Sequence, residues 1–442
     1  MKLEPYPEYK DSGVEWIGQI PSGWEFVPIK AMASCNDDVL PESTPYDTEI
    51  EYVDISSVNS VDGIMATEPM TFGSAPSRAR RKVQSGDVIV STVRTYLRAI
   101  AQIDNPPDGL IVSTGFAVIR PRTVEPGFLG YMLRSEPVIG EVIARSTGVS
   151  YPAINPSDLI SIKVPVPRTD DQSAIKEFLD CETAKIDVLI SEQQDLIALL
   201  REKRQAVISH TVTKGLNPNV PMKYSGIEWL GDVPEHWKVI AIKHIVSTPI
   251  TDGPHETPDF PDEGIPFVSA EAIATGEIDF EKVRGFISRH DHLRYSQKYS
   301  PQIGDIYMVK SGATTGITAI VETDIEFNIW SPLAAIRCGE SAIPKYILYF
   351  LRSKNFQDAV SMYWSFGTQQ NIGMGVIENL SIALPPKKEQ EAAVSFVDHQ
   401  IDKIETLISD AESIISLLQE HRIALISAVV TGKVDVREVA YV

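Results

Sequence analysis

Residues 172–213 of the chain, QSAIKEFLDCETAKIDVLISEQQDLIALLREKRQAVISHTVT, return as residues 390–431, QEAAVSFVDHQIDKIETLISDAESIISLLQEHRIALISAVVT. The two stretches are identical at 19 of 42 positions, without a gap, at an offset of 218 residues. Composition alone does not produce such agreement. The chain therefore contains an internal duplication, and the fold has to be interpreted as two related halves.

Each copy is predicted to form a long helix, the first over residues 171–215 and the second over 388–442 with the C-terminal tail. Residues 171–213 contain no proline or glycine, and apolar side chains recur every seven residues, which is typical of a coiled-coil seam. About 40 residues at 1.5 Å each form a rod of roughly 60 Å that would separate two globular parts. Asp170 and Asp171 suit the start of the first helix, and Gly215 and Gly432 suit the two C-terminal caps.

Neither predicted seam has a folded core of its own, so we expect the two helices to pack antiparallel with pseudo-two-fold symmetry. The alternative is that each helix packs separately on its own domain. The predicted seam residues are Leu179, Ile186, Leu189, Leu200 and Val207 in the first helix, and Val397, Ile404, Leu407, Leu418 and Leu425 in the second.

A second repeat opens each half. Residues 10–30 and 223–243 are identical at 10 of 21 positions, at an offset of 213, whereas residues 31–171 and 244–389 share only scattered pieces such as Gly86-Asp87 and Gly304-Asp305. Short strands and few helices are predicted in both intervening stretches. The sequence therefore predicts two α+β domains of one fold, over residues 1–170 and 216–387, with unlike surfaces.

Composition and charge place the chain among ordinary globular proteins. Hydrophobic residues make up 43% of it and the formal net charge is −20. The charge is segregated, because residues 1–70 carry 14 acidic and 3 basic side chains, whereas residues 71–122 carry 8 basic and 3 acidic ones. A binding face for nucleic acid needs only local positive charge, although a solvated surface would also produce such clustering.

Localisation signals are weak. The first residues do not resemble a signal peptide, and we expect no stretch long and apolar enough for a membrane span of about 18 residues. Cys35, Cys181 and Cys338 are far apart in sequence and lack metal-ligand spacing, so buried thiols in a reducing cytoplasm are expected.

The repeated motifs resemble those of type I restriction–modification DNA-specificity subunits over essentially the whole chain. They are the opening at 12–24 and 225–237, the Gly-Asp strand, the proline-rich exits at 164–167 and 384–386, and the Gln-led helix that ends in Thr-Lys-Gly or Thr-Gly-Lys. The resemblance implies that each variable domain recognises one half of a split site in double-stranded DNA. It also implies that the helices set the spacing and hold two methyltransferase subunits, with restriction/translocase subunits as further partners and no membrane contact.

The resemblance implies a non-catalytic subunit without cofactors of its own. S-adenosylmethionine, ATP and Mg²⁺ would belong to the partner subunits. Potential catalytic motifs are incomplete: Asn105-Pro106-Pro107-Asp108 lacks the aromatic residue of an adenine methyltransferase motif, and Gly432-Lys433 lacks the rest of a phosphate-binding loop. His290 and His292 have no nearby third ligand, and we expect both at the surface. A self-contained methyltransferase or nuclease and a protein-binding coiled-coil scaffold are the alternative functions.

In the first domain, a polar run after the Gly-Asp strand is the strongest candidate for contacts with bases. Arginine pairs with guanine edges and with phosphates, and tyrosine stacks or donates a hydrogen bond. A basic run upstream suits phosphates, and a solvated strand connection is its alternative. The candidates are Arg94, Thr95, Tyr96 and Arg98 in the polar run, Arg78, Arg80 and Arg81 in the basic run, and Tyr151 before the proline-rich exit.

In the second domain, the aligned stretch is glycine-rich and would either approach a nucleic-acid backbone closely or form a simple turn. Glutamine and asparagine before the second proline-rich exit pair well with adenine edges. A loop at 251–258 either binds DNA or is a turn fixed by Asp-Gly and two prolines. The candidates are Lys310, Ser311, Thr314 and Thr315, then Gln369, Gln370 and Asn371, and His255 in that loop.

Overall fold

The computed structural model describes residues 4–59, 61, 63–366 and 370–438. The chain divides into two compact units, residues 1–193 with 413–442, and residues 194–412. The first long helix is Thr169–Lys214 and the second is Lys387–Val430, close to the predicted bounds. Each long helix therefore contributes its first half to one unit and its second half to the other.

The first unit has two four-stranded sheets among its described residues. One has the order Ile100–Gln102, Val88–Ser91, Phe116–Pro121 and Ala33–Cys35, with all neighbours antiparallel. The other has the order Glu68–Thr71, Glu49–Val53, Leu110–Ser113 and Ala79–Lys82, in which the central pair is parallel. Shorter pairs join Tyr9–Asp11 with Gln19–Pro21, Glu25–Pro28 with Lys163–Val166, and Val58–Asn59 with Gly63–Ile64. Its helices besides the long ones are Pro126–Leu133, Glu136–Ala144 and Pro156–Leu159.

The described part of the second unit repeats the first sheet and three of the four strands of the second, including its parallel pair. A four-stranded sheet has the order Thr251–Asp252, Leu333–Ile336, Ile306–Val309 and Thr318–Ile320. A three-stranded sheet has the order Gly285–Ile287, Ile265–Val268 and Asn328–Ile329. Shorter pairs join Met222–Tyr224 with Asp232–Pro234, Lys238–Ala241 with Ser381–Leu384, and Ser365–Phe366 with Gln370–Asn371. Its shorter helices are Arg289–Ser296, Pro344–Arg352, Lys354–Met362 and Met374–Asn379.

The repeated Gly-Asp motif is part of the buried framework. Asp87 is fully buried and accepts two hydrogen bonds from Arg120, from Nε at 2.9 Å and from Nη2 at 2.8 Å. Asp305 accepts the same pair from Arg337, both at 2.7 Å. Such two-pronged arginine–carboxylate pairs have a fixed geometry. The motif therefore ties neighbouring strands together in both units, which explains why it is repeated.

Each long helix has in its first turn a buried glutamine, whose side chain holds the segment that leads into the helix. Gln172 donates to the Pro167 carbonyl at 2.9 Å and accepts from the Glu125 amide at 2.8 Å. Gln390 makes the equivalent bonds with Pro385 and Ile343 at the same distances. Both glutamines are buried, so these bonds satisfy polar groups that would otherwise lack water. The proline-rich exits and the Gln-led helices of the sequence are thus one structural unit.

Within the second unit the two long helices run antiparallel, as predicted. Arg201 pairs with Glu412 and Arg204 pairs with Glu405, so positions rise along one helix as they fall along the other. In the first unit Asp187 pairs with Arg422 at 3.2 Å, which is the same contact with the two repeats exchanged. Of the predicted seam residues, Val207 and Leu418 are half-buried, and the buried ones are Leu179, Ile186 and Leu200 in the first helix and Val397, Ile404 and Leu425 in the second.

Two predicted seam positions are wrong by one residue. Leu189 and Leu407 are exposed, whereas the following residues Ile190 and Ile408 face the protein. The sequence offered two adjacent apolar residues at each place, and seven-residue spacing alone does not choose between them. The second row of the seam therefore runs through Ile190 and Ile197 in the first helix and through Ile408 in the second.

The C-terminal end of each long helix packs on the domain of the other half of the sequence. The second helix ends on the first domain, and the first helix ends on the second domain. In the first unit Ser427 Oγ accepts from the Glu136 amide at 3.1 Å, and in the second unit Ser209 Oγ accepts from the Lys354 amide at 2.8 Å. The helices end at Gly432 and Gly215, with φ of 73° and 77°, as the sequence predicted. A Cβ at Gly432 would meet Pro21 and Trp24, and one at Gly215 would meet Trp237. The repeated opening motif therefore packs against the repeated helix end.

One expectation about apolar stretches needs correction. The second long helix contains an 18-residue window that is long and apolar enough to cross a membrane by length and composition, with a mean hydropathy of 1.4. Several of its last residues lie in the core of the first unit, including Leu425, Ile426, Val429 and Val430. Packing against protein therefore accounts for part of this apolar character.

The three cysteines are free and half-buried rather than fully buried. Burial raises the pKa of the Cys35 thiol to about 11 and that of Cys338 to about 12. Both thiols are therefore protonated, and poor nucleophiles, at neutral pH.

The corrected register predicts opposite effects for two adjacent substitutions. Ile408 is 7% exposed and Leu407 is 51% exposed. Ile408→Ala should lower the free energy of unfolding by about 2–5 kcal/mol, because it leaves a cavity in the seam. Leu407→Ala should change it by less than about 0.5 kcal/mol. Urea denaturation of the two variants measures both values, and the reverse ranking would restore the register predicted from the sequence.

Candidate nucleic-acid interface

Two loops of the first unit are joined by backbone hydrogen bonds. The loop at 92–98 follows the Gly-Asp strand, and the loop at 146–153 precedes the proline-rich exit. The Arg94 amide donates to the Pro152 carbonyl at 2.7 Å, and the Ile154 amide donates to the Thr92 carbonyl at 2.9 Å. We call these two segments the first loop pair.

The second unit brings the equivalent segments together with the same bonds. The Gly312 amide donates to the Gln370 carbonyl at 3.0 Å, and the Ile372 amide donates to the Lys310 carbonyl at 2.8 Å. Ser311 and Asn371 also form a β-bridge. This second loop pair, residues 310–316 with 370–372, joins candidates that are about 60 residues apart in sequence.

The side chains of the first loop pair divide into exposed and anchoring groups. Arg94, Tyr96 and Tyr151 are exposed, and the Arg94 guanidinium carbon lies 4.7 Å from the centre of the Tyr151 ring. Thr95, which the sequence suggested as a DNA contact, is instead buried, with its hydroxyl 2.8 Å from that of Ser146. Thr95 therefore holds the two loops together.

Arg98 is also less available than its sequence position suggested. Its guanidinium pairs with Glu136 at the start of the helix Glu136–Ala144. The contact ties the end of the 92–98 loop to that helix. Arg98 therefore has a framework partner already, whereas Arg94 has no ion pair within the part of the chain that the structure describes.

The basic run occupies the edge strand Ala79–Lys82 of the second sheet. Arg78 donates to the Tyr52 hydroxyl at 3.1 Å and to Asp54 at 2.7 Å, and its side chain remains about half exposed. Arg80 lies over the Phe72 ring, at 4.5 Å from its centre. Arg81 is half-buried, and its buried Nε has no hydrogen-bond partner among the described residues.

The start of the basic run is linked to the first loop pair through residues 114 and 115. The Thr114 amide donates to the Arg78 carbonyl, and the carbonyl of the next residue, Gly115, accepts from the Thr92 amide. The start of the basic run therefore lies close to the first loop pair.

In the second unit, Asp252 organises three basic side chains that the sequence did not connect. Its carboxylate lies 2.7 Å from Lys298 Nζ, 3.2 Å from Lys310 Nζ and 3.0 Å from His255 Nε2. Burial acts to raise the pKa of Asp252, but the hydrogen bonds and charges of Lys298 and Lys310 outweigh it and hold the pKa below its ordinary value. Lys310 is consequently held in place, while the His255 ring is largely exposed.

The remaining candidates of the second domain have different surroundings. Gln370 and Asn371 are exposed, and Ser311 and Thr314 are half-buried. Thr315 is buried and donates to the Gly312 carbonyl at 2.7 Å, so it stabilises the turn instead of facing solvent. Gln369 lies outside the described residues.

Some features of the two interfaces were not predicted. Val149 and Leu97 are exposed apolar residues beside Tyr151 and Tyr96, and no sequence periodicity marks them. His292 is buried and hydrogen-bonded to Asn328 at 2.7 Å, so the expectation of a surface histidine was wrong for it and correct for exposed His290. The Asp252 contacts were not detectable, because they join three separate segments.

The lowered pKa of Asp252 gives a stability prediction. A carboxyl group whose pKa is depressed in the folded state stabilises the fold fully above its unfolded pKa, here about 3.8, and loses this contribution as the pH falls through the folded value. Asp252→Asn should therefore lower the thermal midpoint at pH 7 and flatten its decrease below about pH 4. The control is Asp262→Asn, at an exposed carboxyl. Equal pH profiles for wild type and Asp252→Asn would contradict the prediction.

Comparison with known proteins finds one matching domain and several similar chains. Residues 234–412 match the model of the "Type I restriction modification DNA specificity domain". The specificity subunit of the type I restriction enzyme EcoKI of Escherichia coli is 21% identical over 414 residues, which cover 89% of this chain and 86% of that protein. The putative type I restriction enzyme MjaX specificity subunit of Methanocaldococcus jannaschii is 22% identical and covers 95% of this chain and 96% of its own.

Solved structures agree on the fold. A chain from a structural study of complex assembly in the type I R-M system has a TM-score of 0.68 and 23% identity, and covers 93% of this chain and 98% of its own. The HsdS subunit of Thermoanaerobacter tengcongensis has a TM-score of 0.53 and 23% identity, over 94% and 98% of the two chains. With its duplicated α+β units and its two long helices, the chain is similar along most of its length to type I restriction enzyme specificity subunits, and residues 234–412 match the DNA specificity domain.

Proposed function

We propose that this chain is the sequence-specific DNA-recognition subunit of a type I restriction–modification complex, in which each domain reads one half of a split site. The observation that carries the proposal is the recurrence of the loop pair. The same backbone bonds hold 92–98 against 146–153 and 310–316 against 370–372, whereas the side chains on the two pairs differ. One frame with unlike side chains suits two half-sites of unlike sequence, and the target-recognition domains would correspond to residues 1–170 and 216–387.

The long helices are proposed to set the spacing of the half-sites and to bind two methyltransferase subunits. Support comes from exposed apolar side chains that repeat with the duplication. The first unit exposes Leu189, Ile414 and Leu417, and the second exposes the equivalent residues Leu407, Leu196 and Leu199, all between 41% and 63% exposed. Exposed apolar groups that cluster on a helix indicate a protein contact. One such triplet in each unit suits one methyltransferase subunit for each.

We assign no catalytic step to this chain. S-adenosylmethionine, ATP and Mg²⁺ would be bound by the methyltransferase and restriction/translocase subunits, and the complex would act on DNA in the cytoplasm. The contribution of this chain is then binding free energy that depends on base sequence.

The recognition proposal predicts a defined methylation pattern. Coexpression of this chain with its methyltransferase subunit in a modification-free host should produce one split motif with unlike halves, mapped by long-read sequencing of the genomic DNA. Replacement of residues 31–165 by those of another family member should change one half only, and replacement of 244–389 should change the other. A soluble complex with an active methyltransferase that methylates no such motif would instead favour the protein-binding scaffold.

The docking proposal predicts a change in stoichiometry. Leu199→Ser with Leu407→Ser removes most of the triplet in the second unit, and native mass spectrometry should then show one bound methyltransferase subunit rather than two. Each side chain that is no longer buried on binding lowers the affinity by roughly tenfold. The matched variant Leu189→Ser with Leu417→Ser should behave in the same way. Retention of two subunits by both folded variants would exclude these triplets as docking sites.

A further inference from the structure

Two arginines of the first loop pair occupy positions that are glycines in the second. At the offset of 218 residues, Arg94 corresponds to Gly312 and Arg98 to Gly316. The four residues share a left-handed backbone, with φ of 50° and 55° for the arginines and of 107° and 99° for the glycines. The two loops therefore have similar conformations at these points, although only the second has residues that adopt them without strain.

A left-handed backbone at arginine costs free energy that glycine avoids, because the Cβ approaches the following carbonyl oxygen. Such residues persist only where the surroundings hold them, and they concentrate at functional sites. Folding alone would therefore favour glycine at residues 94 and 98, as at residues 312 and 316. The presence of arginine at these two positions therefore needs an explanation other than the stability of the fold.

Arg98 has a reason within the unit, because its guanidinium pairs with Glu136. Arg94 has no such partner within the unit. Its side chain is exposed and has no ion pair with any residue that the structure describes. Its contact is with the Tyr151 ring, 4.7 Å from the guanidinium carbon to the ring centre. The Tyr151 side chain is itself 65% exposed, so the stacked pair faces solvent.

Hydrogen bonds hold the two segments that carry Arg94 and Tyr151. The Arg94 amide is bonded to Pro152 at 2.7 Å, and the Arg94 carbonyl accepts from Leu97 at 2.8 Å. The Thr95 and Ser146 hydroxyls join the two loops just behind it. A guanidinium that already lies over a ring loses less conformational freedom when it binds.

We infer that Arg94, held by Tyr151, is the specificity-determining residue through which the first domain selects a guanine in its half-site. The inference rests on the proposed function. The planar fork of arginine donates two hydrogen bonds to O6 and N7 of guanine in the major groove, and no other base offers that pair of acceptors. The second domain has Gly312 at this position and lacks the reader, so the guanine requirement belongs to one half-site only.

The test compares the methylation motifs of variants in the complete complex with the methyltransferase. Arg94→Gly installs the residue of the other repeat and relieves strain, so the thermal midpoint should be unchanged or higher. The motif should lose its guanine at one position of one half-site, with the preference for guanine falling roughly 10- to 100-fold. The other half-site should be unchanged.

Two further variants sharpen the result. Arg94→Lys keeps the charge but not the planar fork, so its guanine preference should be weaker than that of wild type while total DNA affinity stays within a few-fold of wild type. Asn105→Gly is the control for relief of strain, because Asn105 has a φ of 46° outside both loop pairs, and its motif should equal that of wild type.

Three outcomes overturn the inference. An unchanged motif in Arg94→Gly excludes Arg94 as a reader. An equal loss of affinity for all sequences assigns Arg94 to a phosphate. A guanine preference in Arg94→Lys that is as strong as in wild type excludes the two-pronged contact. A wild-type complex that methylates no split motif is a separate result, since it contradicts the proposed function itself.

Discussion

Each globular domain depends on an α-helical end that the other half of the sequence supplies. The core of the first unit includes Val429 and Val430 from the second long helix, and the core of the second unit includes Ile208 and Val212 from the first. These side chains are apolar on a helix that has no other core to enter, so burial of their surface stabilises helix and domain together. The serine hydroxyls at Ser209 and Ser427 and the glycines at the helix ends then fix where each helix stops relative to its domain. The duplication is therefore not a pair of independent domains joined by a linker, because neither half has a complete core alone.

This constraint separates the buried framework from the exposed loop pairs. The contacts that recur in both units are buried and polar: Asp87 with Arg120, Asp305 with Arg337, and the glutamines that open the long helices. Breaking one of them would leave a buried charge or donor without a partner, which is far more costly than the contact itself is stabilising. The exposed side chains of the loop pairs make no comparable buried contacts, so replacing one of them does not leave a buried group without a partner. The backbones of the loop pairs are held by bonds between main-chain amides and carbonyls, which do not depend on the side chain, so the exposed side chains are free to differ.

The sequence predicted the parts of this arrangement that depend on repeated pattern. The duplication, the long helices, the glycine caps and most strands were found because residue type and spacing alone determine them. The second row of the seam was displaced because Leu189-Ile190 and Leu407-Ile408 are apolar at both positions, and only packing distinguishes them. Thr95 and Thr315 were taken for solvent-facing groups because burial of a small hydroxyl leaves no mark in the sequence. The cluster around Asp252 could not be predicted either, since it depends on the approach of three distant segments.

The relation between the two loop pairs also explains how one fold can present two unlike sets of exposed side chains. A loop that passes through left-handed conformations at two positions is unstrained with glycine, as in the second unit, and strained with arginine, as in the first. The strain is local, because the bonds from residue 94 to Pro152 and from residue 312 to Gln370 are the same. The backbone bonds of the framework therefore stay the same when an exposed side chain at this position is exchanged. A duplicated protein built in this way can change what one half contacts while its buried contacts, and with them the cores that both halves share, remain as they are.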